Sequence, residues 1–117
     1  ELRQLDWYAG LDLASVSDFS NFILYEPTTN TVVPYQFLPE ATIRKKPLYQ
    51  GWLKEGHIIE TEGEATDYEI IRSKINEVAK QFNIRKIGVD RIFNAQHIGT
   101  LLINDGFEFY LTPEMSI

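Results

Sequence analysis

The sequence predicts an α/β fold in which helices flank a mixed β-sheet, and three features support that prediction. Apolar runs rich in strand-forming residues occupy the first third of the chain, whereas its second half alternates stretches of helical and strand character. Because a helix between two strands favours a right-handed parallel crossover, parallel strands should extend the antiparallel ones in a single sheet. With 117 residues, 44% of them hydrophobic, the chain matches one globular domain.

An antiparallel meander of three strands is predicted for the N-terminal part. Its strands are the apolar runs at residues 7–13, 21–25 and 31–38, and the segments between them are short, polar and rich in turn-forming residues. Pro34 lies inside the third run and lacks a backbone N–H, so it favours an edge position or a bulge there.

The middle of the chain departs from this regular pattern. Residues 39–51 have Pro near both ends and are predicted to form an irregular or partly helical excursion, which a short helix at 49–55 and a short strand at 57–61 follow. The excursion carries a basic cluster that could contact a DNA backbone or simply face solvent, formed by Arg44, Lys45 and Lys46.

The C-terminal half is predicted to alternate helices and strands. A helix begins after Thr66 or Asp67, either of which can cap it, and apolar residues recur at helical spacing up to Phe82. The elements that follow are a strand at 84–89, a helix at 94–105 and a strand at 107–111. The predicted sheet therefore has about five strands, formed by a meander of three and then by helix, strand, helix and strand.

Composition and charge narrow the classes of function. The net charge of -6 argues against a surface that is basic throughout, but it allows a nuclease whose clustered carboxylates hold cations. The absence of cysteine excludes disulfides and thiolate metal sites. Because no run of about 18 apolar residues occurs, we expect a soluble protein with no membrane span or signal peptide.

Two aspartates stand where a charge is otherwise costly. Asp12 lies inside the first apolar strand, and Asp90 ends the strand after the long helix. Carboxylates brought together at a sheet repel each other, and Mg²⁺ or Mn²⁺ with oxygen ligands relieves that repulsion. Two such ions about 4 Å apart can activate water and stabilise the leaving oxygen in phosphodiester cleavage. A lone aspartate is more often a solvent-facing strand-end residue, so it is the pair that indicates a metal centre.

Asp18 and Arg91 are weaker candidates for the same site. Asp18 begins the next strand and could fold back toward Asp12 as a further metal ligand, although a turn residue bound to its own backbone is as frequent. Arg91 follows Asp90 directly and could reach a phosphate, although an Arg at a strand end is more often solvated.

Several stretches resemble the nuclease domain of the phage terminase large subunit. Residues 8–20, YAGLDLASVSDFS, are similar to the family's opening strand, a Gly-Leu-Asp-Leu-Ser-Ser pattern followed by a further Asp. Further matches are WLKEG at 52–56 before a short strand, DY at 67–68 opening a helix, and IGVDR at 87–91 followed by NA at 94–95. These stretches cover most of the chain in the family's order.

The resemblance implies an RNase H-like endonuclease domain that cuts concatemeric double-stranded DNA during phage genome packaging, with two divalent ions. In that comparison Asp12 matches the first-strand acid, Asp90 the acid of the strand after the first helix, and Asp18 a further acid of the first hairpin. The implied partners are the terminase ATPase domain, the small terminase subunit and the portal. The implied location is the cytoplasm of a phage-infected or prophage-carrying bacterium.

The chain departs from the family's pattern in two ways. The family supplies another metal-binding Asp from a late helix, so we expect residues 1–117 to form one nuclease domain that is incomplete at its C terminus. The family's motor domain has no counterpart, because no Gly-rich phosphate loop with Lys and Ser or Thr occurs. The alternatives are a non-catalytic RNase H-like module that binds DNA or packaging partners and, more remotely, a resolvase or transposase relative.

Overall fold

Six β-strands, a short 3₁₀ helix and four α-helices make up the part of the chain that the computed structural model describes, namely residues 2–13, 19–63, 67–90 and 95–112. The strands are β1 (Asp6–Asp12), β2 (Ser20–Glu26), β3 (Thr31–Pro39), β4 (Ile59–Thr61), β5 (Asn83–Asp90) and β6 (Phe109–Thr112). The helices are α1 (Glu40–Arg44), α2 (Pro47–Lys54), α3 (Tyr68–Ala79) and α4 (Ala95–Asn104). The predicted bounds differ from these by at most three residues.

The strands form one mixed sheet in the spatial order β4-β3-β2-β1-β5-β6. Strands β1, β2 and β3 are the predicted antiparallel meander, whereas β5 pairs parallel with β1, and β6 parallel with β5. The predicted mixed sheet flanked by helices is thereby confirmed. It has one strand more than the expected five, because the short strand β4 pairs parallel with the end of β3.

The edge position predicted for Pro34 is also found. Pro34 pairs with Ile23 of β2 on one side, while β4 pairs only with residues Phe37, Leu38 and Pro39 of the same strand. Among the described strands, the Pro34 part of β3 is thus an edge, where a missing N–H interrupts no ladder.

One face of the sheet is buried beneath α3 and α4, and the opposite face carries exposed side chains. Along β1, Trp7 and Leu11 are buried in this core, whereas Asp12 is exposed on the other face. The helices contribute buried residues to the same core, namely Ile71, Ile75, Val78, Ile98 and Leu102. Each buried aliphatic side chain stabilises the fold by roughly 1.5–3 kcal/mol. Because α3 and α4 bury such side chains against one face of the sheet, they determine that the opposite face stays open.

Helix α3 begins and is anchored through polar contacts. As predicted, Asp67 caps it, because the Asp67 carboxylate accepts hydrogen bonds from the backbone N–H groups of Glu69 at 3.0 Å and Ile70 at 3.3 Å. Arg72 then donates from Nε and Nη2 to the two carboxylate oxygens of Asp105, at 2.8 and 2.7 Å, next to the end of α4. These hydrogen bonds lower the pKa of Asp105 to about 2 and raise the pKa of Arg72.

The predicted excursion at residues 39–51 is more regular than expected, since it forms α1 and the first part of α2. Pro47 occupies the first turn of α2, where the missing N–H breaks no hydrogen bond. The two helices pack on a second, smaller cluster of apolar residues, formed by Leu38, Ile43 and Ile58 with Phe19, Tyr49, Trp52 and Leu53 against them. None of the described helices is long and apolar enough to cross a membrane.

Candidate metal centre

The parallel pairing of β1 with β5 brings the backbones of Asp12 and Asp90 together. Leu11 is paired with Val89, and Asp12 and Asp90 are the next residue of each strand. Neighbouring strands lie about 4.8 Å apart. The two predicted acids therefore lie close together, at the C-terminal ends of two adjacent central strands. The sequence could predict each strand separately, but only the pairing shows that the strands are neighbours.

The side chain of Asp12 is exposed on the open face of the sheet, and a polar neighbour lies across from it. Asn21 of β2 pairs with Asp12 and is half-buried, and Gln36 of β3 pairs with Asn21 in turn. Residues directly opposite each other in antiparallel strands share a face. Three side chains with oxygen atoms therefore form a row across β1, β2 and β3. Asn21 was not predicted as a site residue, although its polar position at the start of an apolar run is a signal that could have indicated it.

Next to this row, Gly10 leaves a patch of bare backbone. Gly10, two residues before Asp12, pairs with Gly88 of β5 on one side and with Ile23 of β2 on the other. Among the described residues, a Cβ atom added at Gly10 would meet no atom within 4 Å, apart from its own neighbours in the chain. The open space over Gly10 lets a ligand's backbone approach the sheet closely at this point.

The residues present fit a magnesium or manganese ion in donor type. Carboxylate and amide oxygens are the ligands that Mg²⁺ prefers, and it is commonly bound by one or two carboxylates with water completing the shell. Within the described part of the chain, no group of three His, Cys, Asp or Glu side chains could hold a metal ion. For Asp90 the structure describes the backbone alone, and the predicted site residues Asp18 and Arg91 lie outside the described residues.

The predicted basic cluster is exposed. It comes after the C-terminal end of β3, which lies at the same end of the sheet as Asp12. Helix α1 begins directly after β3, whose residue Phe37 pairs with Ser20 at the start of β2. Arg44 forms an exposed ion pair with Glu40, with Nη2 and Oε1 at 3.2 Å. The other members of the cluster, Lys45 and Lys46, are exposed in the connection between α1 and α2.

This topology, with two acids ending adjacent parallel strands, defines the chain as a mixed α/β domain whose six-stranded sheet is flanked by helices. No family model matches the sequence. The terminase large subunit of Enterobacteria phage HK97 is 27% identical over 93 residues, which cover 73% of this chain and 18% of that protein. The crystal structure of the HK97 bacteriophage large terminase matches with a TM-score of 0.78 and 22% identity, covering 96% of this chain and 25% of that one.

The chain is therefore similar to the large subunit of a phage terminase in both sequence and fold. The resemblance predicted from the sequence is thereby confirmed. The chain spans between 18% and 25% of the length of the terminase proteins it matches.

Proposed function

We propose that this domain is the divalent-metal-dependent endonuclease domain of a phage or prophage DNA-packaging terminase. Its substrate would be concatemeric double-stranded DNA, cut by two-metal phosphodiester hydrolysis. The strongest support is the register of β1 and β5, in which Asp12 and Asp90 follow the Leu11–Val89 pair on adjacent strands. The similarity to the HK97 large terminase supports the packaging role.

In this proposal the chain's own residues hold the ions and the DNA backbone. Asp12 and Asp90 are the metal ligands, with Asp18 as a further ligand. When bound, Mg²⁺ or Mn²⁺ supplies Lewis-acid activation of water and neutralises charge on the phosphate. The bare backbone at Gly10 would let the scissile strand lie close to Asp12, since no atom of the described residues lies within 4 Å of a Cβ atom added there, its chain neighbours apart.

Basic residues would supply the attraction for DNA that a chain of net charge -6 otherwise lacks. Arg91 is proposed to contact a phosphate next to the metal centre, and the exposed cluster of Arg44, Lys45 and Lys46 to contact the DNA backbone farther along. The proposed protein partners are the terminase ATPase domain, the small terminase subunit and the portal.

A non-catalytic module that binds DNA or packaging partners is the second candidate. The observation that favours it is that the described residues contain no group of three potential metal ligands. The two candidates differ in one measurable property, because only a nuclease loses cleavage when the carboxylate of Asp12 is replaced by an amide.

The test is nicking of supercoiled plasmid DNA in Mn²⁺ by the parent chain and by Asp12→Asn and Asp90→Asn. Asp6→Asn is the matched control: Asp6 is exposed on the same face of β1 at its opposite end, where it accepts a hydrogen bond from Asn83 at 2.7 Å. We expect each of the two site variants to nick at least about 100-fold more slowly than the parent, because a lost ligand removes metal activation. The Asp6 variant should retain the parental rate.

Circular dichroism of all four proteins separates loss of activity from loss of fold. Asp12→Asn cutting at the parental rate would contradict a metal centre at Asp12. A well-folded parent that does not nick DNA in Mn²⁺ would favour the non-catalytic module.

A further inference from the structure

An open pocket of about 380 Å³ lies between the edge of the sheet and the end of α2. Its lining residues are Pro34 and Gln36 of β3, Trp52 of α2, and Gly56 and His57 of the segment that follows α2. Small-molecule pockets typically measure about 300–1,000 Å³, so this one has room for a single small planar group and not for a duplex.

The pocket opens on the same face of the sheet as the candidate metal centre. Gln36 pairs with Asn21, and Asn21 pairs with Asp12, so all three belong to one row across the sheet. With strands about 4.8 Å apart, the backbones of Gln36 and Asp12 are roughly 10 Å from each other. A nucleic-acid strand passing Asp12 could therefore also reach the pocket.

The lining chemistry suits a nucleobase. Trp52 offers a planar apolar ring, and its position is fixed by Tyr49 and Phe19, whose ring centroids lie 5.4 and 6.5 Å away. Gln36 and His57 are exposed polar side chains that can donate to and accept from the edge of a base. Stacking on a rigid aromatic ring, combined with edge hydrogen bonds, is how proteins hold unpaired bases.

The charge around the pocket favours a nucleic acid over a basic peptide. Residues 40–57 contain four basic residues and two acidic ones, although the chain as a whole has a net charge of -6. The segment that forms one wall of the pocket is thus a basic part of an acidic protein. This basic segment would attract the phosphate backbone of a nucleic acid, one base of which could enter the pocket.

We propose that this pocket is a subsite for an unpaired nucleobase of the DNA strand bound at the candidate metal centre. The base stacks on Trp52, and Gln36 and His57 hydrogen-bond its edge. As a part of the cleavage site, this subsite rests on the proposed nuclease function, but its binding of a base requires no metal ion.

The test is quenching of tryptophan fluorescence by an oligonucleotide of eight thymidines in EDTA at low salt. Trp52 lines the pocket, whereas Trp7 is 1% exposed and donates to the backbone oxygen of Leu2 at 2.9 Å, so Trp7 should not respond. We expect saturable quenching by the oligonucleotide. An abasic strand of the same length should quench far less, because it offers phosphates without bases.

Variants of the exposed lining residues identify the site without disturbing the core. Gln36→Ala and His57→Ala should each weaken binding about five- to tenfold, as expected for a lost hydrogen bond of about 1 kcal/mol. The matched control is Gln81→Ala, since Gln81 is exposed in the turn after α3, outside the pocket. The control should bind as the parent does.

The outcomes separate the subsite from the nuclease. Equal quenching by the abasic strand, or no difference between Gln36→Ala and Gln81→Ala, would overturn the base subsite. Plasmid nicking that depends on Asp12 without base-dependent quenching would overturn the subsite and leave the nuclease intact. Base-dependent quenching in a protein that does not nick DNA would uphold the pocket as a base-binding site and reject the nuclease.

Discussion

At the scale of single residues, Gly99 shows how close packing opposes intrinsic helix propensity. Gly99 lies in α4, where Ala is favoured over Gly by up to about 1 kcal/mol in an exposed helix. A Cβ atom at Gly99 would lie 2.9 Å from Cζ of Phe109 in β6, however, so the ring would have to shift. Because overpacking costs about 1–3 kcal/mol, we expect Gly99→Ala to lower the free energy of unfolding by about 1–2 kcal/mol in urea denaturation.

Gly51 provides the control for this prediction. It lies within α2, and a Cβ atom there would meet nothing within 4 Å. Gly51→Ala should therefore raise the free energy of unfolding by about 0.5–1 kcal/mol. If Gly99→Ala were as stable as the parent, the close approach of α4 to β6 would be contradicted.

Single residues also mark where prediction from the sequence stops. Asp12 and Asp90 were predicted because a charge inside or at the end of an apolar strand is costly. Asn21 was missed because its position opposite Asp12 depends on the pairing of β1 with β2. The contact of Arg72 with Asp105 was missed for a similar reason, since it joins residues 33 positions apart.

At the scale of elements, the β2–β3 hairpin is held by a buried carboxylate that no sequence pattern indicated. Glu26 ends β2 with 1% of its surface exposed. Its carboxylate accepts hydrogen bonds from the backbone N–H and hydroxyl groups of Thr28 at 3.0 and 2.7 Å, and of Thr29 at 2.7 and 2.6 Å. Burial alone would raise the pKa of Glu26, but the hydrogen bonds from Thr29 and Thr28 outweigh it and lower the pKa to about 2.

The Glu26 carboxylate makes the stability of the hairpin depend on pH. Because its pKa falls from 4.5 to about 2 on folding, its contribution is fully present above pH 4.5 and is lost as the pH falls toward 2. Glu26→Gln should lower the melting temperature at pH 7. It should also flatten the decrease in melting temperature between pH 4.5 and pH 2, as followed by circular dichroism.

Two further variants make this pH experiment decisive. Asp105→Asn removes a second carboxylate of the described residues whose pKa is lowered to about 2, so the two contributions to acid sensitivity can be measured separately. Glu60→Gln, at an exposed position of β4, should leave the curve unchanged. If the melting temperatures of the parent and of Glu26→Gln had the same pH dependence, the turn would not hold an ionised Glu26.

At the scale of the whole molecule, the order of helices and strands was predictable because most of it depends on local periodicity. The apolar spacing of α3 and the alternation along β1 are each visible within about ten residues of sequence. The pairing of β4 with β3 was not predictable, since β4 has only three paired residues. The pocket lined by Trp52 was beyond prediction as well, because it forms where the chain after α2 returns beside Gln36.

The candidate metal centre is a property of the whole sheet, because β1 and β5 are 70 residues apart in the chain and meet only in the folded protein. In this metal centre Asp12 is proposed to bind a divalent ion. That claim can be tested apart from catalysis, since ion binding requires neither DNA nor the proposed packaging partners.

The most direct measurement is a titration with Mn²⁺, following the electron paramagnetic resonance signal of the free ion, for the parent, Asp12→Asn and Asp6→Asn. We expect saturable binding by the parent and by the Asp6 variant, and binding at least about tenfold weaker in Asp12→Asn, because an ionised ligand becomes a neutral amide. Equal Mn²⁺ binding by all three proteins would contradict a metal centre at Asp12.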